Sequence, residues 1–169
     1  PIQAQFSVLN GMQVDDYDGD GNLDILMNGN DYGTEVSVGR YDALNGLLLK
    51  GNGKGLFTAL SILESGIFIP GNGKALVKIR GAKGQYLMAA SQNRGPLKIY
   101  TLKKPTLLLP VQPNDASAII EYANGQKRKE EFYYGNSFLS QSARFISYNE
   151  KVKLITIIDQ KGQTRKNNY

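Results

Sequence analysis

The sequence predicts an all-β fold, a partial β-propeller of about two blades followed by a small antiparallel β unit. Three observations carry this. Apolar runs are short and bounded by Asn and Gly, helical periodicity is slight, and the first part of the chain matches itself at a shift of 62 residues. With 41% hydrophobic and 21% charged residues among 169, a packed core is expected rather than disorder.

In chain order, strands are expected at 5–9, 23–27, 35–39, 46–50, 57–60, 66–69, 75–79, 86–90 and 97–102. Further strands are expected at 118–122, 126–133, 144–148 and 152–159. Asn10-Gly11, Asn28-Gly29, Asn45-Gly46, Asn52-Gly53, Asn72-Gly73 and Asn124-Gly125 are read as hairpin turns, because Asn tolerates and Gly favours positive φ. The 62-residue shift lays Phe6 on Phe68, Asn10-Gly11 on Asn72-Gly73 and Ile25-Leu26-Met27 on Leu87-Met88-Ala89. A period near 60, filled by about four short strands, suits a propeller blade. Lys103-Lys104-Pro105, Pro110 and Pro113 then break the strand rhythm. A boundary is expected there, with residues 1–104 and 105–169 as two units that pack through Leu107-Leu108-Leu109.

Composition narrows the chemistry. There is no Cys, His or Trp, which removes disulfides, zinc sites built on Cys or His, and imidazole triads. No Ser-x-x-Lys spacing supplies a lysine base to Ser137, Ser140 or Ser142. The stretch 134–144 is therefore expected to be a structured connection. Residues 1–60 carry eight acids and three bases, a net −5, whereas residues 61–169 carry seven acids and seventeen bases, a net +10. Nucleic acid is one reading of that basic half. The bases are scattered singly, however, and Lys127-Arg128-Lys129 is followed at once by Glu130-Glu131, so solvated strand faces are expected. No apolar run reaches the roughly 18 residues of a membrane helix. A chain opening at Pro1 without Met or a basic leader is expected to be a piece of a longer protein.

The sharpest motif is Asp16-Tyr17-Asp18-Gly19-Asp20-Gly21-Asn22-Leu23-Asp24, with carboxylates at loop positions 1, 3, 5 and 9 and Gly at 6. Asp16, Asp18, Asp20 and Asp24, with the backbone carbonyl of Asn22, form an oxygen-rich shell of the kind Ca²⁺ takes at about 2.3–2.6 Å. An EF-hand is excluded, because position 12 is Met27 rather than Glu. By the 62-residue shift Asp16, Asp18, Asp20 and Asp24 fall on Lys78, Arg80, Ala82 and Tyr86. One structural calcium per chain is expected, with Gly81 and Gly84 turning the second loop and Lys78 or Arg80 facing solvent or an acid.

Together with Gly11-Met12-Gln13-Val14 before it and Ile25-Leu26-Met27-Asn28-Gly29 after it, this loop resembles the calcium loop of FG-GAP/VCBS repeats, the blades of integrin-type β-propellers. Residues 65–76 and Ala90-Ser91-Gln92-Asn93 resemble a blade common in large bacterial surface proteins. The stretch 131–144, with Asp159-Gln160-Lys161-Gly162 behind it, resembles the ASPIC/UnbV-like module that follows such blades. The resemblance implies an extracellular or cell-surface, outer-membrane-associated place, and binding or scaffolding of a glycan or protein ligand. The chain departs from the family in blade number and in the lost acids of the second loop.

Two other functions stay open at this stage. A propeller-based glycan-active enzyme would need two carboxylates facing each other about 5–9.5 Å apart, and the acids outside the loop form no recognisable motif. Tyr32, Tyr41, Tyr122, Tyr133, Tyr134 and Tyr148 are available for stacking on sugars, although cross-strand aromatic pairing is the more economical use for each. A nucleic-acid binder using the basic half is the third reading.

Overall fold

The computed structural model describes residues 1–135, 137 and 139–169. Strands take 49% of the chain and helix 5%, so the fold is all-β. The first sheet is a meander of β1 (Leu9–Asp15), β2 (Asp24–Gly29), β3 (Leu47–Gly51) and β4 (Phe57–Leu60). A one-turn helix, α1 (Ile62–Ser65), leads to a second sheet of β5 (Asn72–Arg80), β6 (Tyr86–Asn93) and β7 (Lys98–Thr101). Then come β8 (Leu107–Pro110), β9 (Asp115–Tyr122), β10 (Lys127–Glu131), β11 (Phe145–Tyr148), β12 (Val152–Asp159) and β13 (Thr164–Asn168). They form a sheet in the order β10-β9-β12-β13 and a two-stranded ribbon of β11 with β8. Every pairing among the described residues is antiparallel, and none of the sheets closes on itself. Among those residues no helix is long and apolar enough to cross a membrane.

The ribbon joins the cores. Side chains alternate faces along a strand, so adjacent residues of β11 go to different places. Phe145 is buried with Leu26, Leu76 and Met88 of the first two sheets and with Ile69 of the segment between them. Ile146 is buried with Ile120, Ile155 and Ile157 of the third. On the facing strand Leu108 packs against the first of these clusters and Leu109 against the second. Leu107, by contrast, is exposed. A third, smaller cluster of Met27, Leu44, Leu47 and Leu49 covers the other face of the first sheet.

Strand β1 reverses the usual pattern. Gln13 and Asp15 are 2% exposed, whereas Met12 and Val14 are 49% and 42% exposed. The first two sheets meet along a seam of side-chain amides. Asn10 Nδ2 donates to Gly73 O at 2.9 Å, Gln13 Nε2 to Leu76 O at 2.9 Å, Asn28 Nδ2 to Ala75 O at 3.2 Å and Asn30 Nδ2 to Gly71 O at 3.0 Å. The backbones come so close that a Cβ on Gly11 would lie 2.8 Å from Leu76 Cβ and 3.0 Å from Leu76 N, and one on Gly73 would lie 3.0 Å from Gly29 O.

This seam explains where the sequence reading errs. Asn52-Gly53 and Asn124-Gly125 lie in the β3–β4 and β9–β10 hairpin turns with positive-φ glycines, as expected, whereas Asn45-Gly46, with Gly46 also at positive φ, closes the long connection from β2 to β3. Asn10-Gly11, Asn28-Gly29 and Asn72-Gly73 instead lie inside β1, β2 and β5. In the first two pairs Asn supplies the bridging amide and Gly admits the neighbouring chain. The expected strand at 5–9 is replaced by a 3₁₀ turn, Ile2–Gln5, and β1 begins at Leu9, because its inward residues are polar and carry no apolar signal. The expected strand at 35–39 is a turn in which Val38 and Gly39 donate to Glu35 O and Val36 is fully exposed. At 66–69 no ladder forms. Gly66, at φ 72°, caps α1, whose Ser61–Glu64 capping box is a sequence signal the strand reading passed over. β8 and the polar edge strand β13 were not expected as strands. Within the stretch 134–144, Asn136 and Phe138 lie outside the described residues. Its Tyr134 donates to Pro113 O at 2.9 Å, and Arg144 Nη1 donates to the same carbonyl at 3.0 Å.

Because Leu108 lies against the shared wall, Leu108→Asp should lower stability by roughly 2–4 kcal/mol, from lost apolar burial and a carboxylate brought into a dry contact. The melting temperature should fall by roughly 5–15 °C for a chain of this size. An unchanged melting curve would show that the ribbon does not couple the cores.

Candidate metal centre

Loop 16–23 joins β1 to β2 and is held from outside as well as inside. Asp16 Oδ1 accepts from Gly19 N at 2.7 Å and Asp20 N at 3.1 Å, and its Oδ2 accepts from Gly21 N at 2.9 Å. Gly19 and Gly21, at φ 72° and 94°, permit that curl. Asp24 Oδ2 accepts from Tyr17 N at 3.0 Å and its Oδ1 from Gly51 N at 2.9 Å, which ties the loop to β3. Carboxylate oxygens of Asp16, Asp18 and Asp24 lie within 4.8 Å of one another. Two ligands on opposite sides of one Ca²⁺ stand about 4.6–5.2 Å apart, so these three side chains have the donor chemistry and the spread to hold such an ion.

Asp20 and Asn22 stand outside this trio. Asp20 Oδ2 lies 3.3 Å from Lys50 Nζ, and Asn22 Oδ1 accepts from Gln126 Nε2 at 3.0 Å. Lys50 also pairs closely with Asp18 Oδ2. Its pKa is raised chiefly by that hydrogen bond. Further cations meet the loop from the second half of the chain. Lys104 donates to Asp18 O, Lys151 donates to Gly19 O at 3.0 Å, and Arg128 Nη1 lies 3.4 Å from Asp16 Oδ2. These bases are isolated in sequence, so nothing in their spacing announces that they converge. The loop acids are thus partly neutralised by protein groups.

Beneath the loop is a buried charge cluster. Lys78, aligned with Asp16 by the 62-residue shift, does not face solvent. Its Nζ lies 3.4 Å from Asp15 Oδ2 and 3.2 Å from Glu130 Oε1. Tyr86, aligned with Asp24, donates its hydroxyl to Asp15 Oδ2 at 3.0 Å, and Ser147 Oγ donates to Asp15 Oδ1 at 2.6 Å. Arg80 ends β5 on the surface, and the second hairpin turns through residues 81–85 with Gly84 at φ 77°. Burial pushes the Asp15 carboxyl up, but Lys78 and Arg128 outweigh it and the pKa falls below the usual value. Glu130 moves the other way, since burial and the Asp15 charge prevail over Lys78 and Arg128. Burial also raises Tyr86 and Tyr17 well above a free phenol. Within the loop burial raises Asp16, and it pushes Asp24 up to about 6 against the hydrogen bonds from Gly51 and Tyr17.

A cleft of about 480 Å³ opens between the loop and the C-terminal strands, beside Tyr122, Tyr148 and Asn149. Of the tyrosines offered for stacking, Tyr122 is buried, Tyr32 lies under Arg40 at 4.9 Å and Tyr134 under Arg144 at 4.3 Å. Tyr148 packs on Tyr169 with ring centres 4.5 Å apart, and Tyr41 and Tyr133 are exposed.

No family model, curated protein or solved structure matches the chain.

Two outcomes follow from the buried charges. Lys78→Met leaves Asp15 and Glu130 short of a cation and should cost roughly 3–5 kcal/mol at pH 7. Their folded-state pKa values then rise, so the defect should be smaller at pH 5 and grow as pH increases. Urea melts at both pH values test this, and a Lys78→Met protein as stable as the parent at pH 7 would refute it. Separately, the Asp24 carboxyl carbon, followed by NMR in calcium-free protein, should titrate with a midpoint near 6. Saturating calcium should move that midpoint down by at least about one unit, since a bound cation favours the ionised form.

Proposed function

We propose that the chain is a non-catalytic, calcium-stabilised binding or scaffold module of the extracellular or cell-surface, outer-membrane-associated kind, with a glycan or protein as its ligand. The observation that carries it is the convergence of Asp16, Asp18 and Asp24 within 4.8 Å. The loop they sit on is pinned by β3 and by the C-terminal strands. One Ca²⁺ there would be held by those carboxylates, with Asp20 and the Asn22 carbonyl close along the chain. Its role would be structural, because the same loop bonds Gln126, Asn149 and Lys151 and so joins the two halves.

The finer architecture is read in the same way. The first two sheets are taken as two blades of a partial propeller, and the 62-residue shift supports this by laying β2 on β6 from its first residue. Residues 105–169 are taken as the module that follows such blades, although their Phe145 completes the core of the sheets before them. The non-catalytic reading is supported by the chain's lack of His and Cys. An extracellular place agrees with a calcium site on an open loop, because extracellular modules work with affinities near 10⁻⁴–10⁻³ M. The ligand would sit in the cleft beside Tyr148 and Asn149, which one wall of the calcium loop shapes.

Calcium titration should give one ion per chain by calorimetry and a melting temperature that rises with calcium, as mass action requires. Asp18→Ala should abolish the rise and Arg80→Ala should leave it. Two ions per chain, or a melting temperature indifferent to calcium, would refute the reading. A glycan array, with Tyr148→Ala as control, tests the ligand class.

A further inference from the structure

A second cavity, of about 280 Å³, lies on the other side of the calcium loop, between the first two sheets. Leu26, Leu48, Met88 and Tyr86 line its interior, and all four belong to the largest apolar cluster or pack against it. Its size is just under the roughly 300–1,000 Å³ of ordinary small-molecule sites, so an occupant would be small. The rim is charged, carrying Lys50, Lys103, Lys104, Asp18 and Glu64, and the buried Asp24 carboxyl lies beneath it.

These acids are already hydrogen-bonded within the fold, Asp24 and Glu64 by neutral donors and Asp18 also by a cation. Asp24 accepts from Gly51 N and Tyr17 N, and Asp18 from Lys50 and Asp20 N. Glu64 Oε2 accepts from Ser61 N at 2.8 Å and Ser61 Oγ at 2.6 Å. Among the rim cations, Lys104 is held on Asp18 O. Lys103 is exposed and has no hydrogen bond or ion pair among the described residues. The mouth of an apolar cavity thus presents an uncommitted ammonium. A second ammonium, that of Lys50, is half-exposed and held only by acids of the loop, Asp18 and Asp20.

We infer that this cavity binds a small amphipathic anion, an aliphatic or aryl carboxylate, and that calcium in the loop strengthens the binding by releasing Lys50 to the mouth. The inference rests on the calcium reading above. Asp18 cannot hold an ammonium and a divalent cation on the same face without the two charges repelling each other. The ion therefore displaces Lys50, whose flexible stem keeps it over the cavity. The occupant's chain replaces empty space beside Leu26 and Met88, and its carboxylate meets Lys103 and Lys50. A neutral molecule of the same shape gains the first contact and not the second. The coupling is reciprocal, so the anion should also tighten calcium binding.

The test uses sodium octanoate and 1-octanol as probes, with the full chain carrying a labelled Met88 methyl. Calcium occupancy is read separately from the Asp24 carboxyl carbon. Octanoate should shift the Met88 methyl, and saturating calcium should tighten its binding by about fivefold or more relative to EDTA. Octanol should show no calcium dependence. Lys103→Met, at an exposed position, should weaken octanoate several-fold, and Lys50→Met should remove the calcium dependence. An unmoved Met88 methyl, equal response to octanol and octanoate, or equal octanoate affinity in calcium and EDTA each overturns the inference. If Asp24 responds to calcium while Met88 ignores octanoate, only this inference falls. If Asp24 is also indifferent, the calcium reading falls with it.

Discussion

The structure depends on one constraint, that Asp15 is charged and buried. An ionised carboxylate out of water needs both a counter-charge and hydrogen bonds. No single neighbouring element supplies them. Lys78 comes from β5, Tyr86 from β6, Arg128 from β10 and Ser147 from β11. Three of the four sheets are therefore brought against the end of β1 by one side chain's requirements. Position is fixed as a result, since apolar contact alone would tolerate sliding and a hydrogen-bonded carboxylate does not. The same residue is immediately followed by the loop aspartates, so what organises the interior also sets the orientation of Asp16.

Two hairpins that align at the 62-residue shift play different parts. In the first, the aspartates on the loop converge with room for a cation. In the second, the aligned positions carry Lys78 and Tyr86, and both now bond Asp15 of the first. The aligned side chains of the second hairpin thus support the first. That division would be pointless in two independent repeats, and it agrees with the amide seam along which the two sheets touch.

Legibility in the sequence followed the type of signal. Strands with apolar inward faces, such as β3, β6 and β12, were plain from their alternation. Strand β1 was misplaced because Gln13 and Asp15 point inward, and β13 was missed because Thr164–Asn168 is polar throughout. The Asn-Gly pairs were ambiguous, since the same dipeptide serves a turn or a close backbone approach, and only the neighbouring chain decides which. The acidic loop was legible because its aspartates are contiguous. Its ring of cations was not, because Lys50, Lys104, Arg128 and Lys151 come from distant points and no local spacing relates them. Of the loop acids themselves, the sequence offers four as equals, whereas the fold converges Asp16, Asp18 and Asp24 and leaves Asp20 outside that trio.

The separation between Asp15 and Ser147, 132 residues along the chain, has a consequence during synthesis. At the roughly 5–20 residues per second of translation, the first hairpin leaves the ribosome roughly 7–26 s before its last partner exists. A strand that waits that long with an apolar inward face would be a template for aggregation. β1 waits with Gln13 and Asp15 on that face, groups that water satisfies until β5, β10 and β11 arrive. The polar inward face of β1 therefore adds no apolar surface to the waiting hairpin, whose inward apolar residues are those of β2.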